Sequence, residues 1–131
     1  MKNFCGVLLT VVFLGGLSAC TERTPGEIRL VGIQAALPTM EHIALNANRC
    51  WFKSRDRNFK AYHLAPELQP FSGRPRILVV PANNPGNRPL LVIEGTGNPA
   101  QIAAYGPLMQ TKTGKRIGND LKRWVKGRKN C

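Results

Sequence analysis

Two histidines, four cysteines and seven carboxylates are the side chains with which this 131-residue sequence could do chemistry. His42 follows Glu41, but no second histidine stands four residues on, so the HExxH pairing of a zinc hydrolase is absent. His63 stands apart from it, and the cysteines form no CxxC redox pair and no metal-ligand spacing. Ser54 and Ser72 are flanked by basic residues or turn signals rather than by the GxSxG of a nucleophile elbow. Glu67 and Glu94 would supply the two flanking carboxylates of glycoside hydrolysis if the fold joined them. With 7 acids in the whole chain, ordinary solvation is the simpler reading of both. Gly86 and Gly95-Thr96-Gly97 lack the GxxxxGK[ST] spacing of a phosphate loop and read as turns. Neither a catalytic constellation nor a cofactor or metal site is expected.

The strongest chemical signal lies at the front of the chain, in MKNFCGVLLTVVFLGGLSAC. Lys2 precedes an apolar run from Phe4 to Leu17, and small residues follow, which is the order of a secretory signal. The run is short for a bilayer-spanning helix, although a short membrane anchor is the alternative. Leu17-Ser18-Ala19-Cys20 resembles the lipobox of bacterial lipoproteins. That resemblance implies a diacylglyceryl group on the Cys20 thiol, cleavage between Ala19 and Cys20, and acylation of the new amino group. Two or three acyl chains anchor stably where one is marginal, at about 0.8 kcal/mol per buried CH₂. Thr21 resembles the class sorted to the outer membrane; Asp at that position would favour the inner membrane, which stays the alternative. The run FSGRPRILVVPANNPGNRPLLVIEG further resembles small envelope lipoproteins of alphaproteobacteria, a resemblance that implies a self-contained envelope domain and assigns no activity.

On this reading residues 1–19 are a signal peptide, residues 20–36 a lipidated cysteine with its tether, and residues 37–131 one domain. Cys5 leaves with the signal and Cys20 is taken by lipid, so Cys50 and Cys131 remain. An oxidising periplasm favours joining them. Closing a loop of about 80 residues would stabilise by about 4–5 kcal/mol on the chain-entropy estimate. A free thiol and an intermolecular bridge are the alternatives.

Which elements would position these residues? From Leu37 the apolar period is helical, with Met40, Ile43, Ala44, Ala47 and Trp51 on one side, Pro38 or Thr39 at the start and Glu41 in the first turn. Cys50 falls at the end of that helix. FKAYHLA alternates as a strand that Pro66 and Pro70 should end, and RILVVP and PLLVIEG are stronger strands. ANNPGNR between the latter two predicts an antiparallel hairpin. QIAAYG reads as an edge strand, while Ile28, Leu30 and Ile33 join the sheet weakly. The helical period returns from Lys115, with Ile117, Leu121, Trp124 and Val125 apolar and Gly127 as the stop. The expected fold is α+β: a small antiparallel sheet of three to four strands with an amphipathic helix before and after it.

The formal charge is +12. Lys112, Lys115, Arg116, Lys122, Arg123, Lys126, Arg128 and Lys129 stand against Asp120 in the last helix, and Arg49, Lys53, Arg55, Arg57 and Lys60 follow the first. A Cys50–Cys131 link would make these groups neighbours. The expected anion-binding residues are Arg49, Lys53, Arg55, Arg57, Lys115, Arg116, Lys122, Arg123 and Lys126. Inside a cell such a field would point to nucleic acid. Export removes that partner and leaves anionic lipid headgroups, lipopolysaccharide phosphates or an acidic protein. The expected function is therefore a non-enzymatic, lipid-anchored outer-membrane protein of the periplasm that binds an anionic envelope component. One alternative is an accessory subunit of an envelope secretion or assembly complex that docks by a strand edge. The other is a small hydrolase of envelope polymers.

Overall fold

A computed structural model describes residues 24–131; the lipobox and the signal-like run lie outside the described residues. Five strands form one antiparallel sheet: β1 Ile28–Val31, β2 Tyr62–Glu67, β3 Arg76–Pro81, β4 Leu91–Thr96 and β5 Gln101–Tyr105. Their order is β1-β5-β4-β3-β2, a four-strand meander with β1 added beside β5. The fold class is the expected mixed one, with more strands than the three to four read from sequence. The added strand is β1, which lies in the stretch read as a tether. It pairs Ile28 with Ala104 and Leu30 with Ile102. β5 is consequently an inner strand and not the edge it was expected to be.

Alternation decides which way each strand looks. Ile77, Val79, Leu91, Ile93, Ile102 and Ala104 are buried toward the helices, while Arg76, Glu94 and Arg29 take the opposite face. β2 carries Pro66 within it, because an edge strand can hold proline where its missing N–H faces away from the sheet.

Helix α1 (Ala36–Ala47) covers the apolar face with Met40, Ile43, Ala44 and Ala47. It begins slightly before Pro38, which sits in the first turn where a missing N–H costs no helical bond, and Glu41 falls outside that turn. Its approach to β4 is close. A Cβ on Gly95 would stand 2.8 Å from Met40 Cγ, so the glycine makes room for the helix. The chain continues from α1 into a wide π-type turn, Asn48–Lys53, that buries Cys50 and Trp51. Cys50 thus lies in the π-helical end of the first helix, as the sequence predicts.

Helix α2 spans Lys112–Trp124 and starts before the expected Lys115. Thr111 caps it by accepting the Gly114 N–H at 3.3 Å. Gly114 is buried against Met109 where a side chain would not fit. At the other end Gly127 has φ +80°, the Gly127 N–H bonds the Trp124 carbonyl at 2.9 Å and the Arg128 N–H bonds that of Arg123 at 3.3 Å. That pattern closes the helix as expected and turns the chain back. Among the described residues no helix is long and apolar enough to cross a membrane.

Candidate anion-binding surface

The turn after α2 brings the end of the chain against the first helix. Cys50 and Cys131 form a disulfide with their Cα atoms 5.4 Å apart, across 81 positions of sequence. Four side chains hold the same tail. His42 Nε2 donates to the Arg128 carbonyl at 2.9 Å, and Arg49 donates to the carbonyl of Lys129. Trp124 Nε1 donates to the Asn130 carbonyl at 3.1 Å, and Arg123 to that of Cys131 at 2.9 Å. The two cationic segments therefore meet at this seam.

Beneath it lies Asp120, 2% exposed. Its Oδ2 accepts Trp51 Nε1 at 2.7 Å and stands 3.6 Å from Arg116 Nε, while Oδ1 accepts Arg123. Arg116 also binds Asp56, which caps the short turn Arg57–Phe59, and its guanidinium lies over the Phe59 ring. Phe59 in turn stacks on Trp51 at 4.9 Å. Carboxylate, indole and two guanidiniums thus tie α2 to the wide turn of α1. A buried carboxylate is tolerable because its lone pairs are filled by charged donors.

This network divides the expected anion-binding residues. Arg116 and Arg123 are half-buried and committed to Asp56 and Asp120. Arg49, though exposed, spends its guanidinium on Lys129 and on Asn46 Oδ1 at 2.8 Å. Each arginine has one acceptor three or four residues away, at the spacing where side chains meet, and the fold adds Asp56 to Arg116 and the Lys129 carbonyl to Arg49. Lys53, Arg55, Arg57, Lys115, Lys122 and Lys126 remain exposed, and among the described residues none has an acidic partner. Lys115 and Lys122 are a heptad apart with Lys126 a turn beyond, so they share one side of α2, opposite Ile117, Leu121 and Trp124.

The open face of the sheet arranges charge differently. Glu67, Arg76 and Glu94 are consecutive cross-strand neighbours, and Ala103 and Arg29 continue the row. Arg76 bonds Glu67, and Arg29 pairs with Glu27 at 2.8 Å. The two glutamates weighed for acid–base chemistry do share this face, but a whole strand and a guanidinium stand between them. A cavity of about 440 Å³ opens beside Glu94, Glu27, Arg29, Arg74, Gln101 and Tyr105. Tyr105 donates to Glu94 at 3.4 Å, and partial burial with that neighbouring carboxylate raises its phenol above the ordinary 10. A tyrosine held neutral beside a carboxylate is a hydrogen-bonding surface, not an activated nucleophile.

His63 is exposed on this face of β2, Ser72 lies in the loop after it, and Ser54 Oγ donates to the Cys50 carbonyl at 2.7 Å. Among the described residues no three His, Cys, Asp or Glu side chains gather to hold a metal. The Asp120 network escaped the sequence reading, although its spacing was visible: one acid placed four residues after Arg116 and three before Arg123. Compared with protein-family models, with curated protein sequences and with solved structures, the chain finds a match in none of the three.

Proposed function

We propose that this is a non-enzymatic protein of the bacterial envelope, anchored through lipid on Cys20 and presenting a cationic surface to an anionic component there. The observation that carries the binding half is the fate of the acids. Asp56 and Asp120, the carboxylates nearest the basic segments, are consumed by Arg116 and Arg123. The exposed cations of α2 and of residues 53–60 are left uncompensated. An uncompensated field of this kind attracts phosphate-bearing surfaces such as anionic phospholipid or lipopolysaccharide, with an affinity that falls as salt rises. The outer membrane, on its periplasmic face, is the place the lipobox resemblance and Thr21 suggest.

The test holds the full chain in neutral nanodiscs and titrates it with vesicles of anionic or of purely zwitterionic lipid, at low and at physiological salt. Anionic vesicles should bind and zwitterionic ones should not. Reversing Lys115, Lys122 and Lys126 to Glu halves the formal charge of +12 and should abolish binding. These residues are exposed and unpaired among the described residues, so each change costs little stability. Acids near a helix C-terminus oppose its dipole by up to about 1 kcal/mol, so a thermal melt accompanies the titration. A folded triple variant that binds like the wild type would reduce the charge to ordinary solvation. The anchor is tested separately: Cys20→Ala should prevent acyl labelling, and labelling that persists would remove the lipobox assignment.

A further inference from the structure

β2 ends the sheet, so among the described residues no strand pairs with its outer side. Tyr62 lies opposite Pro81 and His63 opposite Val80, and the Ala82 N–H bonds the Ala61 carbonyl at 2.9 Å. Bonded and non-bonded pairs alternate along an antiparallel ladder. His63, Ala65 and Glu67 therefore bond β3, while Tyr62 and Leu64 turn their N–H and C=O groups away from it. Pro66 obeys the same parity, with its hydrogen-free nitrogen on the open side. Among the described residues no turn, loop or cap bond reaches the amides of Tyr62 or Leu64.

A groove of about 500 Å³ runs beside this edge, lined by Leu64, Pro66 and Leu68, by Glu41, Ala44 and Leu45 of α1, and by Asn48 just after it. Its one acid, Glu41, lies away from the cationic end where the carboxylates are wanted. Leu45 is 72% exposed, an apolar side chain that the fold does not use. At the Tyr62 end the chemistry changes. Phe52 and Tyr62 meet Arg55, Arg57 and Lys60 around a second recess of about 490 Å³. Asp56, the acid of that recess, is already bound to Arg116.

Backbone donors in a row, an apolar slot alongside and cations at one end describe a receptor for one kind of ligand. We infer that the β2 edge docks an extended segment of another protein. The segment pairs its backbone with Tyr62 and Leu64, sends alternate apolar side chains into the slot beside Leu45, and sets carboxylates against Arg55, Arg57 and Lys60. Charge selects the occupant. With 19 basic and 7 acidic residues, this chain is a poor source of a carboxylate cluster for a second copy of itself. A lipid surface offers no donors and acceptors at strand spacing. The site is separate from the lysine face of α2, shares Arg55, Arg57 and Lys60 with the membrane-facing reading above, and goes beyond that reading.

The probe is a fluorescein-labelled synthetic octapeptide with three glutamates at one end and alternating valine and threonine through the rest, made in both orientations. It is titrated against the full chain in neutral detergent and followed by anisotropy. One orientation should bind, and replacing its glutamates by lysines should weaken it by about tenfold or more. N-methylation of alternate peptide nitrogens should abolish binding. Leu45→Glu, at an exposed position, should weaken binding by about tenfold while leaving vesicle binding through α2 intact. Amide exchange should slow at Tyr62 and Leu64 on addition of peptide. Absence of binding, equal binding of the lysine peptide, unchanged affinity in Leu45→Glu or protection confined to another strand would each overturn the inference. Protection of the same two amides by self-association without peptide would assign the edge to a second copy and overturn it as well.

Discussion

The open sheet face and the α2 side both carry many ionised side chains, and they dispose of them in opposite ways. Across the sheet, Glu67, Arg76 and Glu94 alternate in sign along one row, and Glu27 pairs with Arg29 at its far end. Each charge has its counter-charge at a neighbouring position, so little field leaves the surface. On the α2 side the acids are drawn inward, Asp120 wholly and Asp56 in large part, and the arginines follow them. The lysines stay outside with nothing opposite. The external field of a protein is therefore set by where its minority charges are buried, more than by how many charges it has.

The sharpest way to break this contrast is to remove the buried acid. Asp120→Ala strips Trp51 of its acceptor and leaves Arg116 and Arg123 half-buried without that partner. It should cost about 3–5 kcal/mol in denaturant unfolding. Any variant that remains folded should bind anionic vesicles more tightly, because Arg123 loses its carboxylate partner while Arg116 keeps Asp56. Next in size is Cys131→Ser, which frees the tail from the seam and should cost about 2–4 kcal/mol in the same assay under oxidising conditions. On the sheet side, Arg76→Glu puts three like charges in one cross-strand row and should cost about 1 kcal/mol while leaving vesicle binding unchanged. A loss of vesicle binding there would show that both faces contribute to the field.

The smallest effect is in alkali. Tyr105 holds its proton above the ordinary phenol value in the folded protein, so between pH 10 and that raised value the native state binds more protons than the unfolded one. Its contribution to stability is complete below pH 10 and falls as pH rises through the folded pKa. Tyr105→Phe should flatten that part of the pH–stability curve measured by denaturant melts, without changing stability at neutral pH by more than about 1 kcal/mol.

The hairpin was legible because Asn84-Pro85-Gly86 interrupts two runs of β-branched and aliphatic residues, a signal that needs no tertiary contact. The two helices were legible for a similar reason, from Met40 to Trp51 and from Ile117 to Trp124. β1 was harder. Four residues behind Pro25-Gly26 carry too little pattern to distinguish a strand from a tether until β5 is there to pair with them. The start of α2 at Lys112 lies ahead of its apolar period, and Gly114 within it serves a contact with Met109 rather than helix propensity. Counting Arg116 and Arg123 as anion-binding followed from treating every basic residue in the helix alike. Their spacing to Asp120 was local and readable. The Trp51 indole that helps bury that carboxylate lies 69 residues away, and only the fold could supply it.

The Cys50–Cys131 bond also has a mechanical meaning. Tension applied between Thr24 and Cys131 would peel β1 and α1, reach Cys50, and then pass through the sulfur atoms to the other handle. The four-strand meander and α2 all lie inside the 81-residue bypass and would carry no load. In a single-molecule stretching record the oxidised chain should lengthen by little more than its first elements, and a reductant should release the rest. For a domain pulled by its two ends, that bond is a shunt protecting the sheet.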